Sequence, residues 1–185
     1  MKGTIICQGT RGSYSQIAAV KIFGDNAAID YAPDFKDVFE AVVNGKHCYG
    51  VLPVHNSTAG PVRKVNALMA QYSVTVKSEY RLKIQHALLV KKGFSASFGL
   101  KNISRILSHE QAISQCSNFL DNNQRIEVFQ CKNTAFASKI VAECGFNDIA
   151  AISSIECSNL YGLDILLENI QNEADNYTNF ICITK

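Results

Sequence analysis

The chain has 185 residues, of which 47% are hydrophobic and 18% charged, and its formal net charge is +2. This length and apolar content suffice for one domain or two small lobes with a buried core. Because acidic and basic residues are interspersed without a basic run, the charge pattern gives no footprint for nucleic acid or an anionic membrane and favours small-molecule chemistry.

Seven cysteines are scattered along the chain without a C-x-x-C pair. An odd, dispersed set is not typical of a secreted disulfide framework or a zinc site, and the histidines show no ligand-like spacing. The apolar run at residues 4–7 is too short for a signal peptide or a membrane span. We therefore predict a cytoplasmic protein without a metal.

Short apolar runs alternate with helical patterns from one end of the chain to the other. Strands are predicted at residues 4–7, 49–54, 74–82, 85–90, 103–107, 126–131, 149–152 and 178–184. Helices are predicted at residues 13–23, 34–45, 62–72, 110–120, 134–144 and 154–161. This alternation indicates an α/β protein with mainly parallel sheets. Residues 74–90 place two strands in succession without a helix, which suggests a crossing between lobes.

Loops that follow predicted strands are rich in small polar residues, at positions 10–13, 56–60, 108–109, 133–134 and 153–154. Helix N-termini present free backbone N–H groups and a positive dipole end, and ligands of α/β sheets lie beyond the carboxyl ends of the strands. Five such loops favour a site for a small anion. The alternative is that each Ser, Thr or Asn only caps its helix.

Three segments resemble signatures of the prephenate dehydratase family. Residues 9–15 (GTRGSYS) are similar to G-x-x-G-S/T-Y/F-S, residues 50–62 (GVLPVHNSTAGPV) to G-V-L/V-P-I/V-E-N-S-x-x-G-x-V, and residues 176–180 (NYTNF) to N-x-T-R-F. Comparable runs occur at residues 86–89, 108–116, 133–135 and 150–154. Single matches of this kind arise by chance, but a series of them in the right order is strong support.

The resemblance implies two α/β lobes arranged like a type II periplasmic binding protein, with mixed, mainly parallel sheets and the active site in the cleft between them. Lobe 1 would comprise about residues 1–78 plus 177–185, and lobe 2 about 79–176. Dimers or tetramers are usual for the family. Full-length members carry a C-terminal ACT domain that this chain lacks, so we expect either a trimmed protein or one without that feedback control.

The implied activity is decarboxylative dehydration of prephenate to phenylpyruvate in phenylalanine biosynthesis, without a cofactor. Thr178 matches the threonine tied to the chemistry, and its hydroxyl would polarise the departing hydroxyl by a hydrogen bond. The side chains expected to bind the substrate carboxylates are Asn56, Ser57, Ser13 and Thr134, with Asn133 beside them and Thr10 as a weaker candidate. The backbone N–H groups of Thr58 and Ala135 would assist, and Gly60 and Gly12 would permit close approach or simply make turns.

Two positions depart from the signatures, because His55 stands where glutamate is expected and Asn179 where arginine is expected. Asparagine cannot supply the permanent positive charge of arginine. One hypothesis is that protonated His55 restores a positive charge from the opposite side of the cleft, so that activity falls as pH rises. The other is that both side chains lie at the cleft edge and tolerate change.

Two other functions remain open. One is a paralogue that decarboxylates prephenate or a related cyclohexadienyl acid without loss of the hydroxyl, although the threonine at 178 argues against it. The other is a binding or sensing protein that kept the two-lobed fold and lost catalysis. Of the remaining histidines, we expect His86 to be a satisfied core residue and His109 to be a neighbour of a helix cap or a lobe-packing residue.

Overall fold

The computed structural model describes residues 3–94 and 99–185. The chain forms two compact units, one comprising the described residues up to Ile84 together with Asp175–Lys185 and the other lying within Gln85–Ala174. The division falls later than the boundary near residue 78 that we expected, because the strand preceding it runs to Lys83 and pairs with the C-terminal strand over its whole length.

Eleven strands and seven α-helices are formed by the described residues. In chain order the strands are β1 (Ile5–Gln8), β2 (Ile29–Ala32), β3 (Tyr49–Asn56), β4 (Gly60–Pro61), β5 (Thr75–Lys83), β6 (Ala87–Lys91), β7 (Arg105–Ser108), β8 (Glu127–Gln130), β9 (Ile149–Ser153), β10 (Leu163–Leu167) and β11 (Tyr177–Thr184). The helices are α1 (Tyr14–Phe23), α2 (Phe35–Val43), α3 (Arg63–Gln71), α4 (Glu110–Gln115), α5 (Ser117–Asp121), α6 (Thr134–Glu143) and α7 (Glu156–Tyr161). A 3₁₀ turn occupies Leu100–Asn102.

The first unit is a mixed sheet of order β2-β1-β3-β11-β5, with β4 paired to β3. Strand β1 is parallel to β2 and β3, whereas β11 is antiparallel to β3 and β5. Helix α1 packs on one face through a core that includes Leu82 and Phe180. Helices α2 and α3 pack on the other face through a core that includes Leu52 and Ile181. Adjacent strand residues therefore serve opposite faces, as the pleat requires.

The second unit is a mixed sheet of order β10-β6-β9-β7-β8. Strand β9 is buried along its whole length and lies between β6, which is antiparallel to it, and β7, which is parallel. Two cores cover the two faces of this sheet. A five-residue run of apolar and small side chains is what a strand covered on both faces requires.

The predicted α/β class with two mixed sheets is confirmed, although antiparallel pairs take a larger share than the alternation of strands and helices indicated. The predicted helix at residues 110–120 is interrupted at Cys116. Asn172 donates its backbone N–H to the Gln115 carbonyl, and its side chain accepts from the Asn118 N–H.

Strands β2, β4 and β10 were not predicted. No helix among the described residues has the length and apolarity that a membrane span needs.

Candidate active site

Asn56, the last residue of β3, is the centre of a buried hydrogen-bond network in the first unit. Its side-chain Nδ2 donates to Asn176 Oδ1 at 2.8 Å and to Thr178 Oγ1 at 2.9 Å. Its Oδ1 accepts from the backbone N–H groups of Thr58 at 3.1 Å and Ala59 at 2.9 Å. Asn56 is 3% exposed. One carboxamide therefore fixes the turn after β3 and orients two side chains of the C-terminal segment.

A β-bulge in β3 turns Asn56 towards Thr178. Asn56 pairs with Thr178 on β11, but after the shift in register Pro53 pairs with Phe180, so Val54 is the extra residue. Val54 packs with the core under α2 and α3. Regular alternation from Val54 would place Asn56 on that same face, away from Thr178. The bulge reverses this, as bulges commonly re-aim a side chain.

The Thr178 hydroxyl is held as a hydrogen-bond donor. Its oxygen accepts from Asn56 Nδ2, which occupies a lone pair and leaves the hydroxyl proton for a different acceptor. Across the part of the chain that the structure describes, that proton has no acceptor. Thr178 is 8% exposed. The Thr178 hydroxyl is therefore nearly buried, and its proton is available to a bound molecule.

Asn176 belongs to the same network and was missed by the sequence reasoning, although it is the first residue of the closing signature. It is 1% exposed, and its Oδ1 is bonded to Asn56 Nδ2. Its Nδ2 is buried and has no hydrogen-bond partner among the described residues. A buried N–H donor without an acceptor lowers the stability of the folded state by about 1–3 kcal/mol. Such an unsatisfied group is a mark of a functional site or of an internal water.

Ser57 ties the turn to the residue before Thr178. Its Oγ accepts from the Tyr177 N–H at 2.9 Å, and its own N–H donates to the Tyr177 carbonyl at 2.8 Å. The Thr58 N–H, which we expected to bind substrate, instead donates to Asn56 Oδ1. That expectation is corrected, because the N–H already has an acceptor within the turn. Gly60 closes the turn with φ +78°, a conformation that favours glycine.

The loop before α1 holds the other candidates of the first unit. Ser13 caps α1, with its Oγ accepting from the Gln16 N–H at 3.3 Å, and it is 7% exposed. The Thr10 carbonyl accepts from the Ser13 N–H at 3.0 Å, and the Gly12 N–H donates to the Gln16 side chain. Capping is thus one role of Ser13, and its hydroxyl proton remains available because the oxygen acts only as an acceptor in this cap.

In the second unit, the remaining candidates form the N-terminus of α6. Asn133 is the cap, with its Oδ1 accepting from the Phe136 N–H at 2.7 Å. Thr134 and Ala135 are buried at the first two helical positions. Within residues 3–94 and 99–185, neither the Thr134 hydroxyl nor the Ala135 N–H has a hydrogen-bond partner. A helix N-terminus of this kind is suited to a carboxylate.

His55 and Asn179 lie directly opposite each other on β3 and β11. Because Asn179 is the neighbour of Thr178 along the strand, its side chain points to the opposite face of the sheet. The hypothesis that His55 acts from across a cleft is therefore wrong in its geometry. The two departures from the signatures form one cross-strand pair on the face away from Thr178.

His86 is the core residue that we expected, and His109 is itself a helix cap rather than the neighbour of one. His86 is 2% exposed and bonds to Gln115 Oε1 through Nε2 at 2.9 Å, and burial lowers its pKa. His109 caps α4, with its Nδ1 accepting from the Gln111 N–H at 3.2 Å. Among the described side chains, no three His, Cys, Asp or Glu residues gather where they could hold a metal ion.

Comparison with known proteins gives a consistent result. The sequence profile of the family described as prephenate dehydratase matches residues 5–185. The chloroplastic arogenate dehydratase/prephenate dehydratase 1 of Arabidopsis thaliana is 35% identical over 184 residues, which are 100% of this chain and 45% of that protein. The chain thus spans less than half the length of this relative.

Two solved structures share the fold. The prephenate dehydratase of Arthrobacter aurescens in complex with L-Phe has a TM-score of 0.88 and 23% identity, covering 98% of this chain and 60% of that one. A protein described as GqqA, a novel type of quorum-quenching acylase, has a TM-score of 0.83 and 26% identity, covering 98% of this chain and 64% of that one. The family profile spans nearly all of the chain and includes the signatures that build the Asn56 network, and the chain therefore belongs to the prephenate dehydratase family.

Proposed function

We propose that this chain catalyses the decarboxylative dehydration of prephenate to phenylpyruvate, as a step in phenylalanine biosynthesis. In that reaction the ring carboxylate leaves as CO₂ and its bonding electrons expel the ring hydroxyl on the opposite carbon as hydroxide, so that the ring becomes aromatic. The hydroxide takes up a proton from solvent and becomes water. Because aromatisation drives the reaction, the protein needs mainly to orient the dianion and assist the departing hydroxyl.

The orientation of the Thr178 hydroxyl is the single observation that carries the proposal. Asn56 donates to its oxygen, so the hydroxyl can donate its proton to the leaving group. A threonine hydroxyl is too weak an acid to transfer that proton outright, and its contribution is a hydrogen bond that strengthens as negative charge develops on the leaving oxygen. Asn56 therefore acts as a positioning residue rather than as a ligand of the substrate.

The carboxylates would be bound by groups whose donors are still available. Ser13 at the start of α1 and Thr134 at the start of α6 each offer a hydroxyl. The Ala135 N–H adds a backbone donor at the positive end of α6. Ser57 is a weaker candidate, because its hydroxyl donates to the Asp175 carbonyl at 3.3 Å and its oxygen accepts from the Tyr177 N–H at 2.9 Å. Thr10 stays the weaker candidate that the sequence indicated.

Arogenate is a second candidate substrate, and the name of the Arabidopsis relative includes both activities. Arogenate carries an amino group where prephenate carries a keto group. Both share the ring carboxylate and the ring hydroxyl, and the hydroxyl is the group on which Thr178 would act. The keto or amino side chain is the part on which specificity depends. Assays with both compounds, under the same conditions, decide between them.

The test is turnover of prephenate by the purified chain, beside Thr178→Val and Thr178→Ser. Valine keeps the shape of threonine but removes the hydroxyl, and we expect kcat to fall by about 10²-fold or more. Serine keeps the hydroxyl and should retain most of the activity. Circular dichroism and thermal unfolding of each variant check that the fold is preserved.

Two outcomes would contradict the proposal. Equal kcat for the parent and Thr178→Val would remove Thr178 from the reaction. Binding of prephenate by calorimetry without any turnover would favour the binding or sensing protein, whose main support was the pair of departures at positions 55 and 179. That support is weakened because both side chains lie on the face away from Thr178. The cytoplasmic location and the homo-oligomeric state remain predictions.

A further inference from the structure

The face of the first sheet opposite Thr178 carries a row of polar side chains across three strands. Asn179 on β11 lies opposite His55 on β3 and opposite Arg81 on β5. Directly opposed residues of antiparallel strands have Cα atoms about 4.5–5.5 Å apart, and their side chains share a face. The three residues therefore form one row with Asn179 at its centre, and Arg81 contributes a permanent positive charge to it.

Arg81 contacts the ring of Tyr177, the residue before Thr178. Its guanidinium carbon lies 4.2 Å from the ring centroid, well within the range of a cation–π interaction. Ser57 holds the backbone N–H and carbonyl of the same Tyr177. Tyr177 is thus fixed through its ring by Arg81 and through its backbone by the turn after β3. Any shift of Tyr177 would move the Thr178 hydroxyl that follows it.

The closing signature places an arginine at position 179, which here is asparagine. Arg81 presents the same guanidinium on the same face, one strand further along the sheet. From position 179 an arginine side chain would also lie two residues from Tyr177 on that face, since side chains i and i+2 of a strand are neighbours. Both positions can therefore place a guanidinium beside the Tyr177 ring.

We propose that Arg81 is a positioning residue for Thr178, and that it supplies from β5 the guanidinium that position 179 lacks. The inference rests on the proposed function for its catalytic consequence. Its structural content is independent: the stack on Tyr177 holds the segment from Asn176 to Thr178 in register with Asn56. Arg81 touches no part of the substrate in this scheme and acts only through Tyr177.

The experiment compares Arg81→Gln with the exchange variant Arg81→Gln/Asn179→Arg. Lys83→Gln is the matched control, because Lys83 is an exposed cation on the same strand and face, opposite Tyr177 in register. Each variant is measured for kcat and KM with prephenate, and for hydrogen exchange of the Tyr177 amide by NMR. For Arg81→Gln we expect a change of about threefold to tenfold in two quantities: kcat falls and the exchange rate of the Tyr177 amide rises. KM should stay unchanged.

The exchange variant should return both quantities towards the parent values, and Lys83→Gln should leave both unchanged. Tyr177→Phe, which keeps the ring, should behave as the parent. Tyr177→Leu should match Arg81→Gln, and combining the two should add no further loss, because both remove the same contact.

The proposal is overturned if Arg81→Gln is indistinguishable from Lys83→Gln in kcat and exchange, or if adding Asn179→Arg fails to restore what Arg81→Gln loses. A rise in KM without a change in kcat would also overturn it, since it would indicate a substrate contact. If the parent chain does not turn over prephenate, the proposed function fails, and the hydrogen-exchange comparison still decides whether Arg81 positions Tyr177.

Discussion

The Asn56 carboxamide is bonded by protein groups at both its nitrogen and its oxygen. At the scale of single residues, these contacts distinguish groups that only position their neighbours from groups that can still hydrogen-bond a substrate. Asn56 and Ser57 belong to the first kind, and the Thr178 hydroxyl belongs to the second. The sequence pattern marked all three as site residues but could not divide them, because the division depends on which partner each atom meets.

Asn56→Asp separates the two functions of this carboxamide. The aspartate keeps oxygen acceptors for the Thr58 and Ala59 N–H groups but loses the donor to Thr178 and Asn176. We expect kcat to fall at least about 10-fold. We also expect urea unfolding to give a free energy lower by about 1–3 kcal/mol. Asn159→Asp, the same change on an exposed α7 residue, is the control, and equal effects in both would contradict the assignment.

The double substitution His55→Glu/Asn179→Arg restores the residues that the signatures contain. Because this pair lies on the face away from Thr178, we expect kcat to change by less than about threefold and stability to rise by about 0.2–1 kcal/mol from the opposite charges. Steady-state kinetics and urea unfolding measure the two effects. A gain in kcat of more than about tenfold would show that the original residues limit catalysis.

At the scale of the element, one inserted residue decides the geometry of the site. The bulge at Val54 lets the same strand pack Val54 against the core under α2 and α3 and yet turn Asn56 towards α1 and Thr178. The sequence predicted β3 and its apolar pattern correctly. It gave no sign of the bulge, because a bulge is a property of the pairing between β3 and β11 and not of β3 alone.

The turn between β3 and β4 depends on Gly60. Its φ is +78° and no atom of the described residues lies within 4 Å of an added Cβ, so Gly60→Ala tests the backbone conformation. We expect the free energy of unfolding to fall by about 1 kcal/mol, the cost of this conformation for an L-residue. Gly145→Ala is the control, since Gly145 has equal space among the described residues but does not adopt a positive φ. Equal losses in the two variants would refute the conformational explanation.

At the scale of the whole molecule, burial of ionisable groups links stability to pH. Burial lowers the pKa of His86 below its ordinary value of 6.5. The folded state therefore resists protonation while the unfolded state takes up a proton below about pH 6.5. The free energy of unfolding is therefore unaffected by His86 above that pH. It decreases as the pH falls from there towards the lower pKa of His86 in the folded state.

We expect the free energy of unfolding to be lower at pH 5.5 than at pH 7.5, and His86→Gln to reduce that difference. Urea unfolding at the two pH values measures it. His55→Gln, at an exposed histidine, should retain the full difference. A pH dependence that is the same in His86→Gln as in the parent would show that His86 is not its source.

The sequence by itself determined the α/β class, most helices and strands, and the family, because these depend on local apolar periodicity and on short motifs. It also named Thr178, Asn56 and the N-terminus of α6 as candidate site residues. Only the tertiary structure decided that Asn56 faces Thr178 through a bulge, that Asn176 joins their network, and that His55, Asn179 and Arg81 form a row on the other face. The reason is that register between distant strands sets which side chains meet, and no local pattern encodes that register.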